Sequence, residues 1–368
     1  MKKNYDLIVV GGGVGGCSAS LTARRNGLKV LLIEKSFVLG GLATQGLINW
    51  YEPLCNKKGK QMIFSVAEEF LRLSIKFGGK VHDEKWLNSS CGDGWYAGYF
   101  NHNAFSMQLT KLLDDEGVDI SFDTLLTGVD IENGLVKSVK VETVEGQKTI
   151  GCKALIDSSG TAIACYLAGL PTETGENYFS FVTQLQENKW EFTGSDMTGN
   201  GHPEDMKTFN GASLEDINRY TVAIHKNYID LMEQGKKGKG LAQIPTMAQF
   251  RMIRRLVGEK TLTTQDKLTN FESSVGLFGY FFKAGEWFTL PYECLYNKKV
   301  DNLLTAGRII SASGEGWDAT RVIPVAVQTG EISAEAVSLM IKEGNTASTL
   351  SVKKLQEKLK EKGFLLYN

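Results

Sequence analysis

Apolar residues in the first part of the chain fall into short runs separated by one stretch of helical character. Asp6 to Val10 is an apolar run of strand length, read as a strand buried on both faces; Ser18 to Asn26 reads as a helix and Lys29 to Ile33 as a second strand. After Thr44 this alternation stops. Met62 to Phe77 carries Ile63, Val66, Ala67, Phe70, Ser74 and Phe77 at helical spacing, which predicts a helix with one apolar face. Trp86 to Phe105, with Trp95, Tyr96, Tyr99, Phe100 and His102 between, is aromatic and without period; it reads either as a loop over a bound ligand or as an irregular segment anchored by its rings. Regular pattern returns with a helix over Phe105 to Glu116, a strand over Asp119 to Phe122, a hairpin over Val129 to Thr143 turning at Asn133-Gly134, and a strand over Thr149 to Ile156. From Thr172 to Cys294 the alternation is lost again. Leu303 to Ala306 predicts a short strand, and Pro324 fits the first turn of a helix reaching about Lys342, because proline lacks only an N–H that would be unpaired there anyway. Ser351 to Lys362 places Val352, Leu355 and Leu359 on one side and lysines elsewhere. It reads as a helix packed on its own body, with docking or a dimer contact as the alternative.

Composition changes this picture little. The 368 residues are 42% apolar and 23% charged, enough for two domains of an ordinary globular protein, and the formal net charge of −1 gives no overall field to gather nucleic acid or an acidic membrane. No run of eighteen apolar residues occurs, and the chain enters its first strand without a leader pattern, so a cytoplasmic protein with a small-molecule partner is expected. The six cysteines, Cys17, Cys55, Cys91, Cys152, Cys165 and Cys294, form no C-x-x-C pair, which speaks against zinc and iron–sulfur sites; no metal is expected.

The chemistry begins between the first strand and the first helix. Gly11, Gly13 and Gly16 meet the G-x-G-x-x-G pattern: the first makes the turn, the second admits a pyrophosphate against bare backbone, and the third lets helix and strand approach closely. The helix N-terminus offers its free N–H groups to the phosphates. Glu34, at the end of the second strand, stands where a carboxylate accepts both hydroxyls of an adenosine ribose. A second glycine turn, Gly40-Gly41-Leu42-Ala43-Thr44, follows at once. With it the segment resembles the FAD-binding start of glutathione-reductase-type flavoproteins, which implies that Gly11, Gly13, Val14, Gly16, Glu34, Lys35, Gly40, Gly41, Ala43 and Thr44 hold FAD. Those relatives that reduce disulfides carry two redox cysteines just after the second glycine pair; Leu42 to Trp50 has none, and disulfide reduction is set aside.

Two later blocks extend the resemblance. His102 to Pro171 is similar to the second flavin segment of the same superfamily, closing on Asp157-Ser158-Ser159-Gly160 with Ser159 in a threonine position; this implies that backbone near Leu126 meets the adenine and that Ser159 and Gly160 let the chain pass close to the dinucleotide. The words Arg251 to Arg255, Leu290-Pro291-Tyr292, Asn302 to Arg308 and Arg321-Val322-Ile323-Pro324 resemble the bacterial FAD-dependent oxidoreductase family, itself similar to fumarate reductase and succinate dehydrogenase flavoproteins. That likeness implies that Gly307, Arg308, Val322 and Ile323 border the flavin, with the positive end of the Pro324 helix toward its pyrimidine ring. Two departures weaken a transferred proton relay: Met252 stands where the family often has Glu, and Gly314 where it often has His. No histidine lies near the second glycine pair, so FAD is expected to be held without a covalent link.

The expected architecture is α/β: a discontinuous Rossmann-like FAD-binding domain (1–50, 101–171 and 295–345) with a cap or loop segment (51–100), an inserted α+β substrate domain (172–294) and a C-terminal helical tail (346–368). The expected function is hydride transfer between flavin and a small organic substrate, one bearing a carboxylate or carbonyl. Arg321 and Arg308 are the candidates to hold it, since arginine binds planar anions with two donors. For the proton, His102 leads a set that includes Glu315, Asp318 and Tyr292. Arg251, Arg254 and Arg255 are read on one helical turn, sharing a cationic face at i, i+3 and i+4 or paired with Glu259 or Asp266. Two other readings are a flavin-bearing electron-transfer subunit and a flavin- or dinucleotide-dependent protein of RNA modification or cofactor assembly. Binding to nucleic acid is not expected on charge, and a homodimer is a candidate assembly.

Overall fold

The computed structural model describes residues 3–81, 97–196 and 199–368. Strand β1 (Asn4–Val10) leads through a glycine turn into α1 (Val14–Arg25) and β2 (Val30–Ile33). β3 (Trp50–Tyr51), α2 (Val66–Ile75), β4 (Lys80–Val81), β5 (Gly98–Tyr99) and α3 (His102–Asp115) follow, then β6 (Asp119–Ser121), β7 (Leu125–Glu132), β8 (Leu135–Thr143), β9 (Gly146–Asp157) and α4 (Ile163–Leu167). Next come β10 (Thr172–Thr174), β11 (Ser180–Leu185), β12 (Trp190–Gly194), α5 (Leu214–Glu233), β13 (Leu241–Gln243) and β14 (Arg254–Leu256). The chain closes with β15 (Ser274–Gly279), β16 (Trp287–Pro291), β17 (Leu303–Thr305), α6 (Glu315–Thr320), α7 (Ile323–Glu343) and α8 (Val352–Glu361).

The central sheet has the order β6-β2-β1-β9, all parallel, and β17 extends it by pairing with the last residues of β9, Leu303 opposite Leu155. The earlier part of β9 turns antiparallel to β8, and β8 to β7, so one long strand joins the sheet to a three-stranded meander. The β7–β8 turn uses Asn133 (φ 52°) and Gly134 (φ 73°), the two positive-φ positions that such a hairpin requires. Because side chains alternate along a strand, β1 serves two cores: Leu7 and Val9 join the one beneath α1 and α7, while Ile8 and Val10 join the one that the meander and α4 cover. A Cβ on Gly330 of α7 would overlap the carbonyl oxygen of Gly15 in α1, so these two helices touch backbone to backbone, and Ser18 Oγ donates to Val327 O (2.8 Å) across the same contact. That contact fixes the start of α7 against the start of α1.

A third core, built from Phe179, Phe181, Phe209, Tyr220, Ile224, Tyr228, Phe250 and Ile253, lies within the stretch that breaks the β/α alternation. Residues Val275, Leu277, Phe278, Phe288 and Leu290 of β15 and β16 instead join the core beneath α7. We therefore propose that the inserted unit spans 172–256 and that the chain has rejoined the main body by β15.

One sequence expectation fails here. Arg251 to Arg255 is not helical: Arg254–Leu256 is strand β14, paired antiparallel with β10, and the amides of Arg251 and Met252 both donate to Asn177 Oδ1 (2.7 and 3.0 Å). Pairing with a distant strand and capture by one asparagine overrode local helical spacing. The three arginines consequently part company. Arg255 is buried and ion-paired with Glu173, and Arg254 lies over the Tyr166 ring at 4.4 Å. Glu259 pairs with Lys298 and Asp266 caps Thr263, so neither serves this cluster.

At the other end of the chain, α8 packs on its own body through Leu355 and Leu359. Lys358 of α8 and Lys362, which caps it, reach the fully buried Glu335 of α7 at 3.0 and 2.5 Å. Among the described residues, no helix is long and apolar enough to cross a membrane.

Candidate active site

A cleft of about 430 Å³ opens outside the carboxyl ends of β1 and β9, between the sheet and the inserted unit. This is the place where an open parallel sheet takes its ligand, since β1 leads to β2 on one side while β9 flanks it on the other. The insert contributes Gly211, Ile217, Thr246, Met247, Ala248 and Phe250 to the far wall. It is seated there by polar hooks: Gln249 Nε2 donates to Gly46 O (2.7 Å) and Thr246 N to Gln45 O (3.0 Å), both acceptors lying just past the second glycine turn.

The two glycine turns are tied to each other, Gly40 N donating to Gly12 O at 2.7 Å. A Cβ on Gly16 would overlap the Gly11 carbonyl oxygen, so the third glycine is demanded by the approach of α1 to β1. Gly13 is different. A Cβ there would meet no protein atom within 4 Å and would project into open space, in the cleft that Gly13 lines. The protein therefore leaves at this position the room that a ligand in the cleft would use. Gly13 is also the cap of α1 and supplies no side-chain acceptor, which leaves the first amides of the helix available to an anion.

Glu34 is buried, and its carboxylate is held on both oxygens: Gly12 N donates to Oε2 (2.7 Å), and Ser36 N and Oγ donate to Oε1 (2.9 and 2.8 Å). Lys35, Gly41, Ala43, Ser159, Gly160 and Gly307 share its cleft, as do Gly11, Val14 and Gly40. Ser159 keeps the turn expected of it, with N and Oγ both donating to Asp157 Oδ1 (3.0 and 2.7 Å). Thr44 stands behind the second turn, Oγ1 donating to Leu39 O (2.6 Å), and Leu126 lies in the second core; neither lines the cleft.

The other part of the cleft wall is cationic. Arg308 and Arg321 both line it, Ile323 of α7 lies beside them, and Val322 caps that helix without a side-chain hydrogen bond. Arg308 is fixed as a strut, Nε donating to Gly160 O (2.9 Å) and Nη1 to Phe250 O (2.7 Å), which joins the main body to the insert. Arg321 is paired with Asp318 (3.0 Å). Arg251 flanks the pair, its guanidinium at 3.4 Å from Gln249 O. Burial and mutual repulsion act on this group: Arg308 is pushed down to about 9 by burial and then by Arg251 and Arg321, and Arg251 to about 10 by burial and then by Arg321.

Glu52 faces the same cluster and went unnoticed in the sequence. Its Oε2 accepts a long bond from Ile323 N (3.4 Å) at the start of α7, and burial pushes its carboxyl up to about 7 against the opposing pull of its own amide, of Ile323 N and then of Arg321 and Arg251. The signal that could have found it is a lone carboxylate inside the apolar run Leu47 to Leu54.

Of the proton-transfer candidates read from the sequence, Asp318 lies in this cluster, paired with Arg321, and the others lie elsewhere. His102 is buried at the start of α3 with Nε2 2.8 Å from Gln243 Oε1, a tie between main body and insert. Glu315 pairs with Lys267 at 2.7 Å, and the Tyr292 hydroxyl donates to Ala347 O at 3.2 Å. Trp86, Trp95 and Tyr96 of the aromatic stretch, and Cys91, lie outside the described residues.

Comparison with known proteins agrees with this geometry. The sequence model of the family described as FAD dependent oxidoreductase matches residues 6–185 and 182–359. A digeranylgeranylglycerophospholipid reductase of Methanocella arvoryzae is 30% identical over 172 residues, 44% of this chain and 40% of that protein. A tRNA uridine 5-carboxymethylaminomethyl modification enzyme of Chlorobaculum tepidum is 27% identical over 168 residues, 43% of this chain and 24% of the other. The match thus spans two fifths or less of the length of either relative. Among solved structures, p-nitrophenol 4-monooxygenase of Pseudomonas putida superposes with a TM-score of 0.53 at 15% identity, over 97% of this chain and 84% of that one, a likeness of fold alone.

Proposed function

Because this chain belongs to the FAD-dependent oxidoreductase family, we propose that it transfers hydride between its flavin and a small organic anion, one bearing a carboxylate or carbonyl, held by the arginine cluster at the start of α7. FAD is the cofactor, and when bound it supplies the hydride donor or acceptor. On this reading Gly11, Gly13, Gly16 and the first amides of α1 receive the pyrophosphate, Glu34 takes the ribose hydroxyls, and no covalent link is made. The observation that carries the substrate class is charge: Arg251, Arg308 and Arg321 act on one another, and Asp318 is the carboxylate ion-paired with one of them.

The three guanidinium groups have separate tasks. Arg308 spends two donors on carbonyls and serves as the strut that keeps main body and insert in register. Arg321, in the cleft wall and oriented by Asp318, presents a directed donor pair to the substrate. Arg251 adds charge beside it. The start of α7, where Val322 makes no side-chain cap and the first amide reaches Glu52 at 3.4 Å, favours negative charge nearby.

Anaerobic mixing of the FAD-loaded protein with panels of hydroxy acids, amino acids, enoates and their neutral esters tests the reading. Flavin bleaching, or reoxidation of the reduced form, by an acid and not by its ester is expected. Equal reaction with both, untouched by Arg321→Ala, would overturn it. The RNA-modification alternative has the likeness to the tRNA-modifying enzyme behind it and the net charge of −1 against it. Salt-dependent binding of RNA would revive it.

A further inference from the structure

Glu52 sits where the structure gathers positive charge. Its carboxylate touches the first amide of α7, the end of that helix where a negative charge is favoured, and it interacts with the guanidinium groups of Arg321 and Arg251. The other titratable neighbours come from its own loop. Tyr51, whose hydroxyl donates to Ala67 O at 2.6 Å, is held neutral by burial, and Lys57 is pushed down by burial while Glu52 and Cys55 pull it up. Arg308 belongs to the same cluster through its coupling to Arg251 and Arg321, and its own donors are engaged on carbonyls. Asp318 takes one side of Arg321. Among the described residues Glu52 is therefore the carboxylate that sits against the first amide of α7 and whose attractions run to both Arg321 and Arg251, its own backbone amide and the Ile323 amide at 3.4 Å being its hydrogen-bond donors. A carboxylate in that position offers the cluster the same charge that a substrate anion would.

We propose that Glu52 is a built-in competitor for the anion site. Ionised, it occupies the field of Arg251, Arg321 and the α7 N-terminus; protonated, it yields that field to a bound anion, so anion binding and proton uptake at Glu52 are coupled. The inference rests on the reading of the arginine cluster as the site of the substrate's anionic group. By linkage the coupling is reciprocal: a bound anion makes Glu52 harder to ionise by the same factor that ionised Glu52 weakens the anion. Affinity is then highest below neutrality and falls as the fraction of neutral Glu52 falls.

The test uses the FAD-loaded full chain and sulfate, whose charge is constant from pH 6 to pH 8. Binding is followed by calorimetry in two buffers of different ionisation enthalpy, which counts protons directly, and by the visible flavin spectrum. With the neutral form as the binding-competent state and a midpoint near 7, the dissociation constant should rise about tenfold from pH 6 to pH 8, with net proton uptake at neutrality. Glu52→Gln, which keeps shape and loses the titration, should bind within about twofold across that range and take up no proton, while Glu52→Asp should keep a pH dependence. A flat wild-type response, or the same slope in Glu52→Gln, overturns the role of Glu52 and leaves the arginine site standing. Sulfate affinity unchanged by both Arg321→Ala and Arg251→Ala, or no sulfate binding at pH 6, overturns the arginine site and the competitor together.

Discussion

Glu34 and Glu52 are two carboxylates that follow early strands and face the working region of the molecule, yet their surroundings differ in kind. Glu34 is fixed by three donors within the turns beside it, two of them backbone amides and the third a serine hydroxyl. Glu52 has its own amide and one long contact to a helix amide, and beyond these it feels the charge of Arg321 and Arg251. The same contrast runs through the two regions around them. The nucleotide region is made of backbone: glycine turns, uncapped amides and a close helix contact, none of which titrates. The arginine region is made of guanidinium and carboxylate side chains, partly dehydrated, whose charges depend on one another. A region of the first kind suits the unreacting phosphate and ribose of a ligand that stays bound; one of the second kind suits a ligand that arrives, reacts and leaves.

The largest effect is expected where the backbone region is broken. Gly13→Asp would put a side chain and a negative charge into the space left open above the glycine turn, and FAD affinity should fall by at least about a hundredfold, read from the visible-to-ultraviolet absorbance ratio of the purified protein. Wild-type flavin content in that variant would remove the pyrophosphate assignment. Gly13 is also the more informative choice, because the same change at Gly16 would collide with the Gly11 carbonyl and damage the fold itself.

Next comes the arginine region, where two neighbours should separate cleanly. Arg321→Ala is expected to weaken sulfate or substrate-acid binding by about 2 kcal/mol while flavin content stays normal. Arg308→Ala removes two donors to carbonyls, Gly160 O and Phe250 O, and should appear first as a lower unfolding midpoint, by about 2 kcal/mol of stability, with loosened flavin. If Arg308→Ala left stability intact and abolished anion binding alone, the strut and the anion holder would have to exchange roles.

Legibility followed the same division. The glycine turns, Glu34, the Asn133-Gly134 hairpin and the proline in the first turn of α7 were readable because each is local: spacing along a few residues fixes the geometry. Arg251 reads from its spacing as helical and grouped with Arg254 and Arg255, whereas Arg308 and Arg321, the arginines that act on it, are distant in sequence, Arg308 reaching this segment through its bond to Phe250 O. Glu52 escaped because it belongs to no motif, and its meaning comes from the start of a helix far along the chain. His102 is attractive as a residue type, yet its ring nitrogen is bonded to Gln243, a partner far along the chain that no local pattern reveals.

A third carboxylate sharpens the contrast between burial and arginine neighbourhood. Glu331, on α7, accepts from Ser65 Oγ (2.6 Å) and Val66 N (3.2 Å) at the start of α2, and burial pushes it up to about 7, as it does Glu52, but arginines are not among the charges acting on it; Lys362 and Glu335 are. Its folded value lies above the ordinary carboxylate value of 4.5, so its favourable contribution is complete below pH 4.5 and is lost as pH rises through about 7. Glu331→Gln, whose amide can accept from Val66 N and donate to Ser65 Oγ, should therefore flatten the decline in stability between those limits. At pH 8 it should be more stable than wild type by on the order of 1–2 kcal/mol, measured by denaturant unfolding across pH. Sulfate binding and its pH dependence should not change. If Glu331→Gln instead altered the slope of anion affinity with pH, burial alone would suffice to couple a carboxylate to the cleft, and the special position of Glu52 among the arginines would lose its force.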